Sequence, residues 1–300
     1  MNFQRPYSLK EALMRCWPGF LFRHTRSRIK CNLRRISVQQ RQQEMSSGIL
    51  LNKVEPWAFI RVKNERATLL ASLNSILPVI HKGVIAYNDC TDGSDKIIEK
   101  FCSENPGFIP FRYPYYVEPS GSQKYATDEL DYKNTLAGYY NAALKIIPKN
   151  EWLIKIDVDQ IYFPSILEHS FYLPKYKNDI VFYSRLNLVK DKNNLLYVEQ
   201  YLRPGDHWLV HNENIHFVNV YGHSKHGEFY SYELAKFNNI SIPFKPECSS
   251  IHFPFEKKYR NFTGNTNSLM LFEDFLARAD KSEFSVELLK IKDIVATFEK

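Results

Sequence analysis

Ile154-Lys155-Ile156-Asp157-Val158-Asp159-Gln160 is the stretch on which the reading of this chain turns. An apolar run from Trp152 to Ile156 has the length and composition of a buried strand, and it breaks off into two carboxylates spaced i, i+2. In extended backbone that spacing points both side chains to one face. Paired carboxylates at the C-terminal edge of a strand suit a divalent cation. Mg²⁺ and Mn²⁺ prefer oxygen ligands and are often shared between protein carboxylates and a substrate's phosphates. Alone, the spacing also marks ordinary strand ends and turns, so its meaning rests on the residues around it.

Upstream, the pattern alternates. Trp57 to Val62 (WAFIRV) predicts a short apolar strand, and Glu65 to Leu77 a helix with Leu69, Leu70, Leu73, Ile76 and Leu77 at helical spacing. Gly83 to Tyr87 predicts a second strand, Asp95 to Cys102 a helix, Ile109 to Tyr113 a third strand and Leu136 to Ile147 a third helix. Strands alternating with helices imply right-handed βαβ crossovers and a mostly parallel, Rossmann-like central sheet flanked by helices. Ligands in such sheets bind beyond the C-terminal ends of the strands. The polar clusters fall at those ends: Arg61-Val62-Lys63-Asn64-Glu65, then Asn88 to Ser94, then Asp157 and Asp159. Neither a Gly-x-Gly-x-x-Gly fingerprint nor a P-loop occurs.

After Tyr162 the pattern changes. Ile180 to Val189 and Leu195 to Gln200 predict two strands joined by a turn, His207 to His211 and Ile215 to Val220 further strands, and Tyr232 to Phe237 a helix. This mixed half, rich in Tyr, Phe, His and Asn, suits an acceptor pocket for a polar, ring-shaped substrate. Residues 118–132 read as a polar loop able to order over bound substrate. The expected organisation is a basic amphipathic segment and linker over 1–50, a nucleotide-sugar-binding α/β half over 51–162, and an acceptor-binding and C-terminal half of the same domain over 163–300.

Composition narrows the class. The 44% hydrophobic and 15% aromatic contents are those of a core-forming protein. Five cysteines without a C-x-x-C pair argue against a disulfide framework or structural zinc and for a reducing cytoplasm. No run of 18 apolar residues occurs, and the N-terminus lacks the apolar core of a secretory signal. The net charge of +7 is concentrated between Arg5 and Arg35, which hold nine Lys/Arg against Glu11 as the one acid. Leu13, Met14, Trp17, Phe20, Leu21 and Phe22 lie among them. Basic residues beside Trp, Phe and Leu suit an anionic membrane surface, at about 1 kcal/mol per near-surface cation. A solvated basic arm, a helix packed on the domain or a nucleic-acid arm are the alternatives. The membrane surface is the expectation adopted, with the protein peripheral on the cytoplasmic side and no nucleic-acid partner.

The motifs assemble into the chemistry of sugar transfer from a nucleotide. Asp89 suits a base N–H or ribose hydroxyl, or else the cap of the second helix, a role that fits Asp92 better. Arg61 and Lys63 face a nucleotide, and Glu65 meets it or neutralises the first helix's N-terminus. Asp157 reaches ribose or metal, and Asp159 binds the metal. In Ser249 to Arg260, His252 offers a third metal ligand, and Lys257, Lys258 and Arg260 a diphosphate clamp, or else a buried His with exposed basic neighbours. Direct displacement at an anomeric carbon needs a general base. Asp206, Glu228 and Glu233 are candidates, with Glu233 preferred and Asp206 next.

Four strings carry a resemblance: Pro56 to Glu65, Gly83 to Ile85 with Tyr87 to Ser94, Glu151 to Asp159, and His252 to Phe255. They closely resemble a bacterial family of β-1,4-N-acetylgalactosaminyltransferases that extend lipooligosaccharide outer cores. The resemblance runs over about residues 55–185 and locally around His252. It implies a GT-A type fold, UDP-GalNAc as donor, an oligosaccharide acceptor, Mn²⁺ or Mg²⁺, and inversion. It makes Asp157 and Asp159 the metal motif and brings His252 to the site. The string match is weak across 187–250 and 120–132, where acceptor recognition belongs, so UDP-Gal or UDP-GlcNAc remain alternative donors. A nucleotidyltransferase would need a Gly-rich phosphate loop, and a non-catalytic polyanion- or glycan-binding protein would have no use for the paired carboxylates.

Overall fold

β1 (Trp57–Val62), β2 (Gly83–Tyr87), β3 (Phe108–Arg112) and β4 (Trp152–Ile156) lie side by side in the order β3-β2-β1-β4, all parallel. Helices α1 (Arg66–Ile76), α2 (Ser94–Glu104) and α3 (Leu136–Leu144) fall on the connections between them. The computed structural model describes residues 52–127, 129–174, 176–191, 195–199, 203–213, 215–237, 248–254 and 269–278. The basic segment 1–50 lies outside them, as do Lys257, Lys258 and Arg260.

β1, apart from Arg61, and β2 read as apolar strings because both of their faces are covered. On one face Ile60, Val62 and Ile85 pack with Leu69, Leu73 and Ile76 of α1 and Ile98 and Phe101 of α2. On the other, Phe59, Val84 and Ala86 pack with Tyr139, Ala143 and Leu144 of α3. Gly83 is a packing necessity, since a Cβ there would sit 2.8 Å from the Cβ and the carbonyl oxygen of Ala58.

Past β4 the sheet turns antiparallel. β8 (Arg203–His211) pairs with β4, β6 (Val181–Lys190) with β8, β7 (Leu196–Glu199) with β6, and β12 (Leu269–Leu271) with β7. Because β8 joins β4 directly, the parallel and mixed halves share one sheet. β5 (Gln160–Tyr162) leaves the Asp157–Asp159 turn and pairs antiparallel with β11 (Cys248–His252). β11 also runs parallel to β6, in a register that sets His252 beside Asn187. A third cluster, around Ile161, Phe163, Leu186, Ile251 and Phe253, is closed by α4 (Pro164–Ser170) and by Phe272 and Phe275 of α5 (Phe272–Arg278). Among the described residues no helix is long and apolar enough to cross a membrane.

One expected element is different in kind. Tyr232 to Phe237, expected as a helix, is the second half of strand β10 (Phe229–Phe237). It pairs antiparallel with β9 (Ile215–His223) from Phe229↔His223 to Phe237↔Ile215. The controlling period is two rather than 3.6. Ala235 and Phe237 alternate onto the face that packs against the α3 core, and Phe237 meets Trp208 edge-on at 5.2 Å. Glu233 shares that inward face, opposite Asn219. The polar stretch after Val117 is fastened to the same hairpin. Gly121 N donates to Ser231 Oγ at 2.7 Å, and Ser120 Oγ donates to Ser231 O at 2.5 Å.

Candidate active site

The loops that follow β1 and β2 are stitched together before any ligand is considered. Asn64 and Asp89 both adopt left-handed backbone, at φ 56° and 45°. Such conformations cost about 1–2 kcal/mol each for residues with a side chain, and Asn and Asp tolerate them best. Asn64 Oδ1 accepts from Thr91 N at 2.7 Å, and Ser94 Oγ accepts from Glu65 N at 3.0 Å. Asp92 caps two helices at once, its Oδ1 accepting from Ser94 N and its Oδ2 from Arg66 N, both at 2.9 Å. Glu65, the N-cap of α1 by position, makes no capping bond with its side chain. Its carboxylate lines the cavity described below.

β4 ends at Ile156, and Asp157-Val158-Asp159 turn into β5 instead of extending the strand. The two carboxylates line the same cavity. Asp157 faces cations. Arg61 Nη2 donates to its Oδ1, while Lys155 Nζ and His207 Nε2 lie 2.9 and 2.8 Å from its Oδ2. The Arg61 and Lys155 side chains are only 6% and 5% exposed, so this carboxylate neutralises cations in a nearly dry setting. Burial alone would raise the Asp157 carboxyl, but Lys155, His207 and Arg61 outweigh it and hold it well below the usual carboxylate range. The Arg61 guanidinium is also stacked, 4.4 Å above the ring of Tyr140 and 5.0 Å from that of Phe59. His207 also lies between two other groups, with Nδ1 3.4 Å from Arg185 Nη1 and Nε2 2.8 Å from Gln160 Nε2.

Asp159 turns the other way. His252 Nε2 lies 3.4 Å from Asp159 Oδ2, both residues are buried, and Phe253 N donates to Asp159 O at 2.9 Å. The second nitrogen of His252, Nδ1, is 2.8 Å from Asn187 Oδ1. Asn187 Nδ2 in turn donates to Glu199 Oε2 at 2.8 Å.

These groups open onto a cavity of about 460 Å³ above the C-terminal ends of β1, β2 and β4. Ligand pockets commonly measure about 300–1,000 Å³. Arg61, Glu65, Asp157, Asp159, Glu233 and His252 all line it, so these residues singled out in the sequence meet at one place. Lys63 lines it too, with Nζ 3.6 Å from Asp89 and 5.6 Å over the Tyr116 ring. Asp89 stands beside the cavity rather than in its wall, held by Lys63 and by Asn88 Nδ2 at 3.1 Å. Glu228 sits near the hairpin turn, its backbone N–H donating to Ser224 Oγ, and does not line the cavity. Asp206 belongs to β8, and its side chain lies outside the described residues.

Sequence reasoning missed several members. Lys155, Arg185, His207, Tyr140 and Glu118 line the cavity or touch Asp157. Glu118 is buried, accepting from Ser122 Oγ at 2.7 Å with Lys124 Nζ at 3.4 Å. Tyr140 is held well above the usual phenol range, first by burial and then by the Glu233 and Asp157 carboxylates, against the pull of Arg61. Its hydroxyl therefore stays protonated. Lys155 carried the one available signal, a lysine inside an apolar strand two residues before Asp157.

No curated protein sequence matches the chain. Among solved structures, glucosyl-3-phosphoglycerate synthase from Mycobacterium tuberculosis, in complex with Mn²⁺, UDP and phosphoglyceric acid, aligns at 12% identity with a TM-score of 0.29. That alignment covers 52% of this chain and 49% of the other, about half of each. The family described as beta-1,4-N-acetylgalactosaminyltransferase (CgtA) matches residues 44–297, a span that takes in both the parallel strands and the His252 segment. The chain therefore belongs to the β-1,4-N-acetylgalactosaminyltransferase (CgtA) family.

Proposed function

We propose that the protein is a metal-dependent, inverting transferase that moves N-acetylgalactosamine from UDP-GalNAc to a galactose-containing acceptor glycan of a bacterial lipooligosaccharide or surface polysaccharide. The observation that carries this is the pairing of Asp159 with His252 in the wall of a cavity that also presents Lys63, Arg185 and Glu233. The choice of sugar rests on the family description.

Mn²⁺ or Mg²⁺ fits the donor set. Asp159 Oδ2 and His252 Nε2 face each other across 3.4 Å in a buried position, and Asn187 holds the far side of the ring. Among the described residues no group of three or more His, Cys, Asp or Glu could hold a metal. Among the described residues Asp159 and His252 would supply two ligands, with other positions open to substrate phosphates and water, as is usual for Mg²⁺ and its relatives. Asp157, expected to reach ribose or metal, meets Arg61, Lys155 and His207, partners that suit a role in shaping the cavity and meeting the ribose. When bound, the ion supplies Lewis-acid neutralisation of the leaving diphosphate.

The protein's own groups account for the remainder. Lys63 and Arg185 in the cavity wall suit the diphosphate oxygens. Glu233, inward on β10, takes the proton from the acceptor hydroxyl as its oxygen attacks the anomeric carbon. The bond from that carbon to the new oxygen forms as the bond to the diphosphate oxygen breaks, on the opposite face, and the configuration inverts. The basic, aromatic-bearing stretch from Arg5 to Arg35 supports attachment to the cytoplasmic face of the inner membrane, where a lipid-linked acceptor would be met.

The test is a donor screen that follows UDP release and product formation on galactose-ended acceptors, with UDP-GalNAc, UDP-Gal and UDP-GlcNAc, each with and without Mn²⁺. UDP-GalNAc should dominate, chelation should abolish turnover, and Asp159→Ala should do the same. A different preferred sugar would overturn the donor assignment. Turnover undiminished in Asp159→Ala would overturn the metal site.

A further inference from the structure

We propose that Glu199 and Asn187 are positioning residues that set the His252 ring in its metal-binding tautomer, so that a carboxylate remote from the metal governs metal affinity. The inference rests on the reading of Asp159 and His252 as the ligand pair.

An amide side chain can be turned either way, and its neighbours decide which. Asn187 stands between two of them. Glu199 Oε2, 2.8 Å from Asn187 Nδ2, belongs to a carboxylate that only accepts, so Asn187 must present its NH₂ on that side. Its Oδ1 is thereby committed to His252, 2.8 Å from Nδ1. An amide oxygen accepts and does not donate, so Nδ1 must carry the proton. The Nε2 lone pair is left to the side where Asp159 Oδ2 lies 3.4 Å away.

Three strands enforce the relay. His252 ends β11 and is in parallel register with Asn187 of β6, while Glu199 ends β7, which pairs with β6. All three groups are held on framework strands, and Glu199 and His252 are themselves buried, so water competes poorly for these bonds. A ligand histidine whose other nitrogen is pinned by a hydrogen bond is the usual arrangement in metal sites. Here the pin is neutral, and the charge that orients it is one step further out.

The relay makes a prediction that simple packing does not. Glu199→Gln replaces an obligate acceptor by a group that both donates and accepts, so the Asn187 amide loses its enforced direction. Asn187→Asp keeps an acceptor for Nδ1 but places a second carboxylate against Glu199. The double variant Asn187→Asp/Glu199→Gln removes that conflict, because the new amide donates to the new carboxylate, which still accepts from Nδ1.

Mn²⁺ is titrated into the full-length protein, with and without UDP, and bound metal is read by electron paramagnetic resonance beside a thermal melt for each variant. Removing an outer partner of a metal ligand typically weakens binding about 10–100-fold. Glu199→Gln should weaken Mn²⁺ binding within that range. Asn187→Asp should weaken it as well, and the double variant should restore it to near the wild-type value. Wild-type affinity in both single variants, or a double variant weaker than either, would overturn the relay. If the wild type itself takes up no Mn²⁺ with or without UDP, the ligand pair fails and the relay with it. Wild-type binding with indifferent variants sinks the relay alone.

Discussion

Replacing Asp157 by Asn probes the most heavily charged point of the cavity. The carboxylate meets Arg61, Lys155 and His207, and the Arg61 and Lys155 side chains are almost wholly buried. Asn preserves shape and one acceptor while removing the charge, so the nearly buried Arg61 and Lys155 side chains lose a counter-ion in the cavity wall. Breaking a buried pair by removing one partner costs about 3–5 kcal/mol. The amide still accepts a hydrogen bond, so the lower end, about 3 kcal/mol, is the expectation. At roughly 2–4 °C per kcal/mol for a domain of this size class, the melting temperature should fall by on the order of 10 °C. The pH dependence has a definite sign. The Asp157 carboxyl is held below its unfolded value, so its contribution is complete above about pH 4 and is lost as pH falls through the lower folded value. Urea titrations of both proteins at pH 7 and at steps downward from pH 5 measure the gap directly. The denaturation midpoint should shift at constant slope at pH 7, and the gap should close only under strongly acid conditions. A variant within about 0.5 kcal/mol of wild type at pH 7 would refute the argument, because surface substitutions of no consequence fall in that range.

Other outcomes follow from neighbouring features. Glu233→Gln should lower kcat by about 10²–10⁴, the usual contribution of a general base, with UDP affinity unchanged in calorimetry. Near-normal turnover would transfer the role to Asp206 or Glu118. Asp92→Ala should destabilise by about 1–3 kcal/mol in urea, since a single side chain caps both α1 and α2, whereas a shift below 0.5 kcal/mol would mean the caps are idle. Its carboxyl is held low despite partial burial, by bonds from Ser94 and Arg66, so this contribution too should fade in acid. Deleting residues 1–35 should abolish co-sedimentation with anionic vesicles and spare transfer to a soluble acceptor. Undiminished sedimentation would remove the basic stretch from consideration.

The elements of the first half were legible because their signals are local. Apolar strings of strand length, helical spacing over eleven residues and polar clusters at strand ends each show within one short window, and α1, α2 and α3 begin within a residue of where the sequence places them. Glu233 lines the cavity although the element that carries it is a strand and not the expected helix. In Tyr232 to Phe237 a helical pattern can be drawn, but six residue pairs with β9 and the partial burial of Ala235 and Phe237 outweigh a weak local preference. His207 was passed over because nothing in its immediate neighbourhood marks it. Its meaning comes from Asp157, 50 residues away, through the pairing of β8 with β4.

The Asp-x-Asp pair shows where the boundary lies. Side-chain chemistry and two-residue spacing pointed to a cation-handling edge only together with the alternating α/β frame and the polar clusters at neighbouring strand ends, because the spacing alone also marks ordinary strand ends. They could not say that the two would part company. Asp157 is turned to Arg61, 96 residues earlier, and Asp159 to His252, whose ring is fixed by Asn187, 65 residues before it. Those partnerships are set by strand order and register, which depend on burying both faces of one sheet at once. No stretch of sequence short enough to be read locally contains that requirement.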